Sequence, residues 1–173
     1  MGTRYTMCES DVLNRIQKVM QAHHGELAKA GVTVDAVFAI DPDGPAIRLH
    51  GYACAATIKK VGYKQRVLGR ADSEMTIDQA FCNDATDDQK DGLIDHELTH
   101  LEVIEDARTR IIKRDAAGRP RLAMRLHDWE LGGFEDTARR YGKAAPEVKA
   151  AQAFKLRFGQ LCFDFHKARG EAA

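Results

Sequence analysis

The sequence predicts an α+β domain in which a short sheet packs beside a histidine-bearing helix, with a hairpin after that helix and C-terminal helices beyond it. Two observations lead to this fold class. Stretches with apolar residues at helical spacing flank a region of short β-type stretches bounded by turn residues. The 173 residues, 44% hydrophobic and 30% charged, are typical of one globular domain. We therefore expect a single domain over residues 1–173.

The first predicted element is an amphipathic helix over residues 11–30. Gly31 stands where a helix C-terminus favours glycine. Its apolar side consists of Val12, Leu13, Ile16, Val19 and Met20.

Strands are predicted next. Residues 32–40 are rich in β-branched and apolar side chains, and residues 41–45 form a turn with proline and glycine. Weaker patterns predict strands over 55–67 and 72–78. These segments would make the short sheet.

The second long helix is predicted over residues 87–106. Thr86 or Asp87 is suited to the N-cap, and acidic residues follow at the positive end of the helix dipole. A final helix is predicted over 146–167, because Pro146 is compatible with a first helical turn.

The second helix carries the segment Asp95-His96-Glu97-Leu98-Thr99-His100. Four residues turn a helix through about 400°, so His96 and His100 project from one face and can bind one zinc ion. Glu97 would then lie beside a water on the metal. This is the His-Glu-x-x-His pattern of zinc metallopeptidases, in which the glutamate is the general base and not a ligand.

A catalytic zinc needs a third protein ligand. On a helix that continues to residue 106, Glu102, Glu105 and Asp106 turn away from the metal, so the ligand is expected farther along. His127 is the best candidate and Glu130 is its rival. The other histidines, His23, His24 and His166, are predicted to be surface or packing residues, and His50 is assigned no role.

A hairpin would return the chain to the motif helix. Residues 109–114 and 121–126 flank a turn at 115–120 that contains Asp, Gly and Pro. Asp128, beside His127, could orient an imidazole from outside the metal's ligand sphere. We predict that Arg119, Arg121 and Arg125 form a solvated face of this hairpin.

Five segments together resemble a known family, the phage metallopeptidases, which are small zincin-like proteins encoded in bacteriophages and prophages. The resemblance extends from about residue 44 to 148. It rests on residues 50–56, 66–78, 95–102, 118–122 and 127–128, with Phe134 and 138–142 later in the chain. It implies a zincin-like zinc peptidase with His96 and His100 as ligands, Glu97 as the catalytic residue, and a His-Asp pair at His127 and Asp128.

The predicted activity is hydrolysis of a peptide bond in a protein or peptide substrate. Glu97 would take a proton from the attacking water and pass it to the leaving amine. Tyr141 and Arg125 are candidate donors to the oxyanion. Two alternatives stay open: a zinc-stabilised binding module in which a fourth protein ligand closes the site, and a zinc amidase that acts on a non-protein substrate.

Charge and cysteine content limit the partners. Lys plus Arg and Asp plus Glu are each 26, so no net field favours nucleic acid or an anionic membrane. The four cysteines, Cys8, Cys54, Cys82 and Cys162, are scattered, which suits buried thiols in a reducing cytoplasm. We expect a cytoplasmic protein that binds neither nucleic acid nor membrane.

Overall fold

The computed structural model describes residues 2–49, 51–127, 135–144, 148–149 and 151–153. The chain forms two compact units, residues 1–126 and 127–173. The first unit combines a small sheet with several helices, which confirms the α+β class. The expectation of one domain over residues 1–173 stays a prediction.

The elements of the first unit are β1 (Arg4–Met7), α1 (Ser10–His23), α2 (Gly25–Ala30), β2 (Val34–Ile40), β3 (Arg48–Leu49), β4 (Tyr52–Ala53), β5 (Ala56–Lys60), α3 (Tyr63–Val67), β6 (Ser73–Asp78), α4 (Gln79–Asp84), α5 (Asp87–Thr99), β7 (Leu101–Val103) and β8 (Leu122–Met124). In the second unit, α6 (Glu135–Tyr141) is followed by a 3-10 turn at Gly142–Ala144.

The main sheet has four strands in the order β1-β2-β6-β5. β2 and β6 are parallel, with Val34 opposite Ser73, whereas β1 and β5 pair antiparallel with their neighbours. Ala36 and Met75 are fully buried at the centre of the sheet. The predicted strands over 32–40 and 72–78 are therefore confirmed as β2 and β6.

The core lies where α1 and α5 pack on this sheet, and α2 packs beside them against α1 and β7. Side chains spaced three or four residues apart on each helix enter this core, as expected for amphipathic helices. The most deeply buried members are Ile16, Met20, Leu27, Ala30, Ala36, Ala56, Met75, Ile77, Ile94 and Leu98. Leu13, predicted on the apolar side of the first helix, is instead 36% exposed.

The predicted single helix over 11–30 is two helices. His24 adopts non-helical angles, φ −120° and ψ 55°, between α1 and α2. Its Nε2 lies 2.9 Å from Oδ1 of Asp95, and this contact holds the ring against α5. Gly31 ends α2 with φ 76°, the left-handed conformation predicted for this glycine.

The predicted strand over 55–67 is wrong in its second half. β5 ends at Lys60, after which the Val61 N–H donates to the Asp72 carbonyl. The N–H groups of Gln65 and Arg66 then donate to the Gly62 carbonyl, and this local bonding forms α3. The edge strand β1 was not predicted, because its residues are exposed on both faces and show no apolar alternation.

In the second unit, residues 148–149 and 151–153 are helical, within the span of the predicted final helix. Pro146 and residues 154–167 of that prediction lie outside the described residues. Within the part of the chain that the structure describes, no helix is both long and apolar enough to cross a membrane.

Candidate metal centre

Helix α5 begins at a capping box. The Thr86 hydroxyl accepts a hydrogen bond from the Gln89 N–H at 3.3 Å, and the Gln89 side chain accepts from the Thr86 N–H at 2.8 Å. Two helix-terminal donors are thereby satisfied by local residues. The predicted start is confirmed, with Thr86 as the N-cap.

The predicted end of this helix is wrong. α5 stops at Thr99, His100 is its C-cap, and Leu101 begins β7, so the motif occupies the last helical turn instead of the middle. The cause is tertiary: β7 pairs antiparallel with β8, and that ladder takes the backbone groups that a longer helix would use. Among the described residues, Glu102, Glu105 and Asp106 do not join a metal-ligand group.

The predicted turn at 115–120 is present. The Gly118 N–H donates to the Asp115 carbonyl, and Gly118 has φ 76°. The predicted hairpin is confirmed only beside the turn, where Arg114 bridges Pro120 and the Arg121 N–H donates to the Lys113 carbonyl. Farther from the turn, β8 pairs with β7 and not with residues 109–112. The chain does return to the motif helix, where the Arg125 N–H donates to the His100 carbonyl at 2.8 Å.

The two motif histidines lie together at the end of α5. Their ring centroids are 5.2 Å apart and the rings are nearly perpendicular, at 85°. His100 Nδ1 lies 2.8 Å from the Arg125 carbonyl oxygen. Since a carbonyl only accepts, Nδ1 carries the proton, and Nε2 is the ring nitrogen whose lone pair could bind a metal.

A third imidazole approaches these two. His127 follows β8 by three residues, and one nitrogen from each of His96, His100 and His127 lies within 4.8 Å of the others. Three nitrogens bound to a tetrahedral zinc at about 2.1 Å would be roughly 3.4 Å apart, a separation that small side-chain rotations can reach. The donor set therefore fits a metal of the zinc type.

The helix end adds to this fit. The last carbonyls of a helix carry partial negative charge, which stabilises a cation placed within the last turn. His96 and His100 stand in that turn and at its cap. A divalent ion held by them would gain from the dipole of α5.

Glu97 lies between the two histidines in sequence and is buried, with 5% of its surface exposed. Burial raises the pKa of its carboxyl from 4.5 to about 7, although the nearby His100 and a hydrogen bond from the Ile58 N–H act in the opposite direction. A carboxyl with a pKa near neutrality can both accept and release a proton at neutral pH.

Several predicted residues lie outside the described residues: His50, Asp128, Glu130 and His166. Of the histidines predicted to be surface or packing residues, His23 is exposed and His24 contacts Asp95. Tyr141, a candidate oxyanion donor, is 63% exposed on α6 in the second unit. Arg125, the other candidate, contacts His100 through its backbone.

The backbone contacts from Ile58 and Arg125 were not predicted, since a peptide group leaves no signature in the sequence. The prediction of a solvated face is wrong for Arg119, whose side chain is 25% exposed and bonds to Asp72 and Thr33. Arg121 is exposed, as predicted, and Arg125 is half-buried.

The family model described as "Putative phage metallopeptidase" matches residues 4–154, most of the chain. Comparisons with curated proteins and with solved structures return no match.

Proposed function

Since the chain belongs to the phage metallopeptidase family, we propose that it is a zinc-dependent peptidase whose metal is held by His96, His100 and His127. The observation that supports this most directly is the convergence of three imidazoles at the end of α5. Three neutral nitrogen ligands leave a fourth position for water or substrate, as catalytic zinc requires.

We propose that Glu97 is the general base and not a ligand. When bound, zinc would supply Lewis-acid chemistry, lowering the pKa of a coordinated water and polarising the scissile carbonyl. Glu97 takes a proton from the attacking water and gives it to the leaving amine, which requires a pKa near the working pH. The pKa of about 7 in this buried position supports that role.

The backbone around Glu97 suggests how a substrate is held. β5 is an edge strand of the main sheet, and its Ile58 N–H reaches the Glu97 carboxyl. An extended peptide that pairs with this edge would run past the general base. We propose that the fold is zincin-like and that the substrate peptide pairs with the β5 edge in this way. We also propose that the protein acts in the cytoplasm.

The experiment measures metal content and hydrolysis on the same preparation. We expect about one zinc per chain, cleavage of an unstructured fluorogenic peptide library, loss of cleavage with a chelator and recovery on adding zinc. If peptidoglycan fragments were cleaved and the peptide library were not, the protein would instead be an amidase. Bound zinc with no exchangeable water and no hydrolysis would identify a structural site, and either result would overturn the peptidase proposal.

A further inference from the structure

Asp72 lies at the centre of a charged cluster far from the histidines in sequence. Its side chain is 1% exposed, and it accepts hydrogen bonds from the N–H and hydroxyl of Thr33 at 2.9 and 3.0 Å. Two guanidinium groups also reach it, Arg119 at 2.8 Å and Arg66 at 3.2 Å. A buried carboxylate is costly unless its oxygens are paired. Movement of Thr33, Arg66 or Arg119 away from Asp72 would therefore be unfavourable, and the cluster favours one geometry.

Both arginines also connect the turn that precedes β8 to the segment around α3. Arg66 donates to the Pro120 carbonyl at 3.0 Å and forms an ion pair with Asp115 at 2.5 Å. Arg119, which belongs to the turn, donates to the carbonyls of Arg66 and Arg70 at 3.2 and 2.7 Å. Planar guanidinium groups fix direction as well as distance, so the turn is held in one position against β6 and α3.

The turn leads directly into the metal centre. β8 starts three residues after Arg119, pairs with β7 so that Met124 lies opposite Leu101, and is followed by Arg125. Arg125 then bonds His100 twice, through its N–H to the carbonyl and through its carbonyl to Nδ1. A slip of one residue in β8 would move this carbonyl away from the imidazole and turn every β8 side chain to the other face.

We propose that Asp72, Arg66 and Arg119 are positioning residues for the metal centre. They set the register of β8, and β8 holds the Arg125 carbonyl against Nδ1 of His100, which fixes the tautomer and direction of that imidazole. The link to zinc rests on the proposed function above. The link from the cluster to Arg125 is independent of any metal.

The test compares Arg119→Met with Arg15→Met. Arg15 is a matched control, because its side chain is 28% exposed against 25% for Arg119, and it forms two ion pairs at 2.6 Å with Asp87 and Asp91 on the motif helix itself. Two readouts are taken: amide hydrogen exchange at Arg125 in chelator-treated protein, and zinc affinity by competition with a chromophoric chelator. Amides of the β2–β6 ladder report whether the variant stays folded.

In Arg119→Met, we expect exchange at Arg125 to accelerate at least about tenfold while the β2–β6 amides keep their protection. Zinc affinity should fall about ten- to a hundredfold, as it does when groups that orient a metal ligand are lost. Arg15→Met should change each quantity by less than about threefold. Unchanged exchange at Arg125, or equal effects of both variants, would overturn the proposal.

Arg119→Lys provides a second measure if the methionine variant folds poorly. Lysine keeps the charge but lacks the planar guanidinium, so it can bond Asp72 or the carbonyls of Arg66 and Arg70, and not both sets. We expect partial recovery of Arg125 protection, with the d–d spectrum of bound cobalt intermediate between the wild-type and methionine forms. Exchange in chelator-treated protein decides the positioning role even if wild-type protein binds no zinc, a result that would overturn only the proposed function.

Discussion

The Nδ1–H of His100 donates to the carbonyl oxygen of Arg125 at 2.8 Å, so a backbone group of one hairpin determines which nitrogen of a motif histidine can meet a metal. Metal-binding histidines generally donate their second ring nitrogen in this way, most often to a carboxylate or carbonyl. The partner here is a peptide group, and replacing the Arg125 side chain would leave it in place.

Replacing Glu97 by glutamine should separate metal binding from catalysis. We expect the variant to keep about one zinc per chain while kcat falls at least about a hundredfold, because the general base is lost. Glu102→Gln, at the exposed position of β7, is the control and should retain full activity. Unchanged hydrolysis in Glu97→Gln would exclude the proposed mechanism, and loss of zinc would identify Glu97 as a ligand.

His127 should contribute more to zinc affinity than any histidine outside the motif. His127→Ala removes one of three ligands, so we expect a much larger loss of affinity than for His23→Ala, His50→Ala or His166→Ala. Asp128→Asn should cost about ten- to a hundredfold, as outer-shell changes do. Glu130→Ala tests the rival assignment: full affinity in His127→Ala together with lost affinity in Glu130→Ala would transfer the third ligand to Glu130.

The metal-free protein should lose stability as the pH rises from about 4.5 to about 7. The folded state holds the Glu97 proton more tightly than the unfolded chain, so this stabilisation is complete below the unfolded pKa and is lost through the folded pKa. The raised pKa of Glu97 corresponds to a decrease in the free energy of unfolding on the order of 3 kcal/mol across this pH range. Urea unfolding with chelator at several pH values, for wild type and Glu97→Gln, measures it. Parallel curves for the two proteins would contradict the assignment.

The motif helix should depend on Leu98 for stability. This side chain is fully buried, and Leu98→Ala should lower the free energy of unfolding by about 2–5 kcal/mol. Leu13, at 36% exposure on α1, is the control, and its replacement by alanine should cost less than about 1 kcal/mol. Urea titration followed by circular dichroism distinguishes them, and equal midpoints would contradict the packing described for α5.

Duplex DNA should bind weakly at physiological salt. The chain has no net charge, and tight DNA binding draws on many phosphate contacts from Lys and Arg. Fluorescence anisotropy with a labelled duplex at several salt concentrations checks this. Submicromolar affinity with a steep salt dependence would contradict this prediction and point to a DNA-linked peptidase.

The sequence predicted those parts of the fold that depend on local preferences. Thr86 could be identified as a cap and Gly31 as a helix end because each acts through its own backbone neighbours. The end of α5 could not, since the residues after His100 favour a helix and only pairing with β8 turns them into a strand. Local propensity gives way to such long-range pairing.

The candidate site likewise has a part that follows from local sequence and a part that depends on distant segments of the chain. His96, Glu97 and His100 were predicted from their spacing, which a helix converts directly into geometry. The burial of Glu97 depends on β5, almost forty positions earlier, and the contact from Arg125 depends on the hairpin register. Neither is encoded in the motif. Arg119 was assigned to a solvated face because a charged residue in a turn is usually exposed, and its bonds to Asp72 override that expectation.

The parallel pairing of β2 with β6 has a consequence for folding kinetics. Val34 meets Ser73 only after the whole intervening chain has closed into a loop, and such distant pairing slows the search for the native state. α5, with its local capping box, can form early, but Ile58 reaches Glu97 only once the sheet has assembled. Zinc should therefore leave the folding rate unchanged when it is present during refolding, and it should slow unfolding of the folded protein. Stopped-flow experiments in each direction measure the two rates. A folding rate that increases with zinc would mean that the histidines gather before the sheet does.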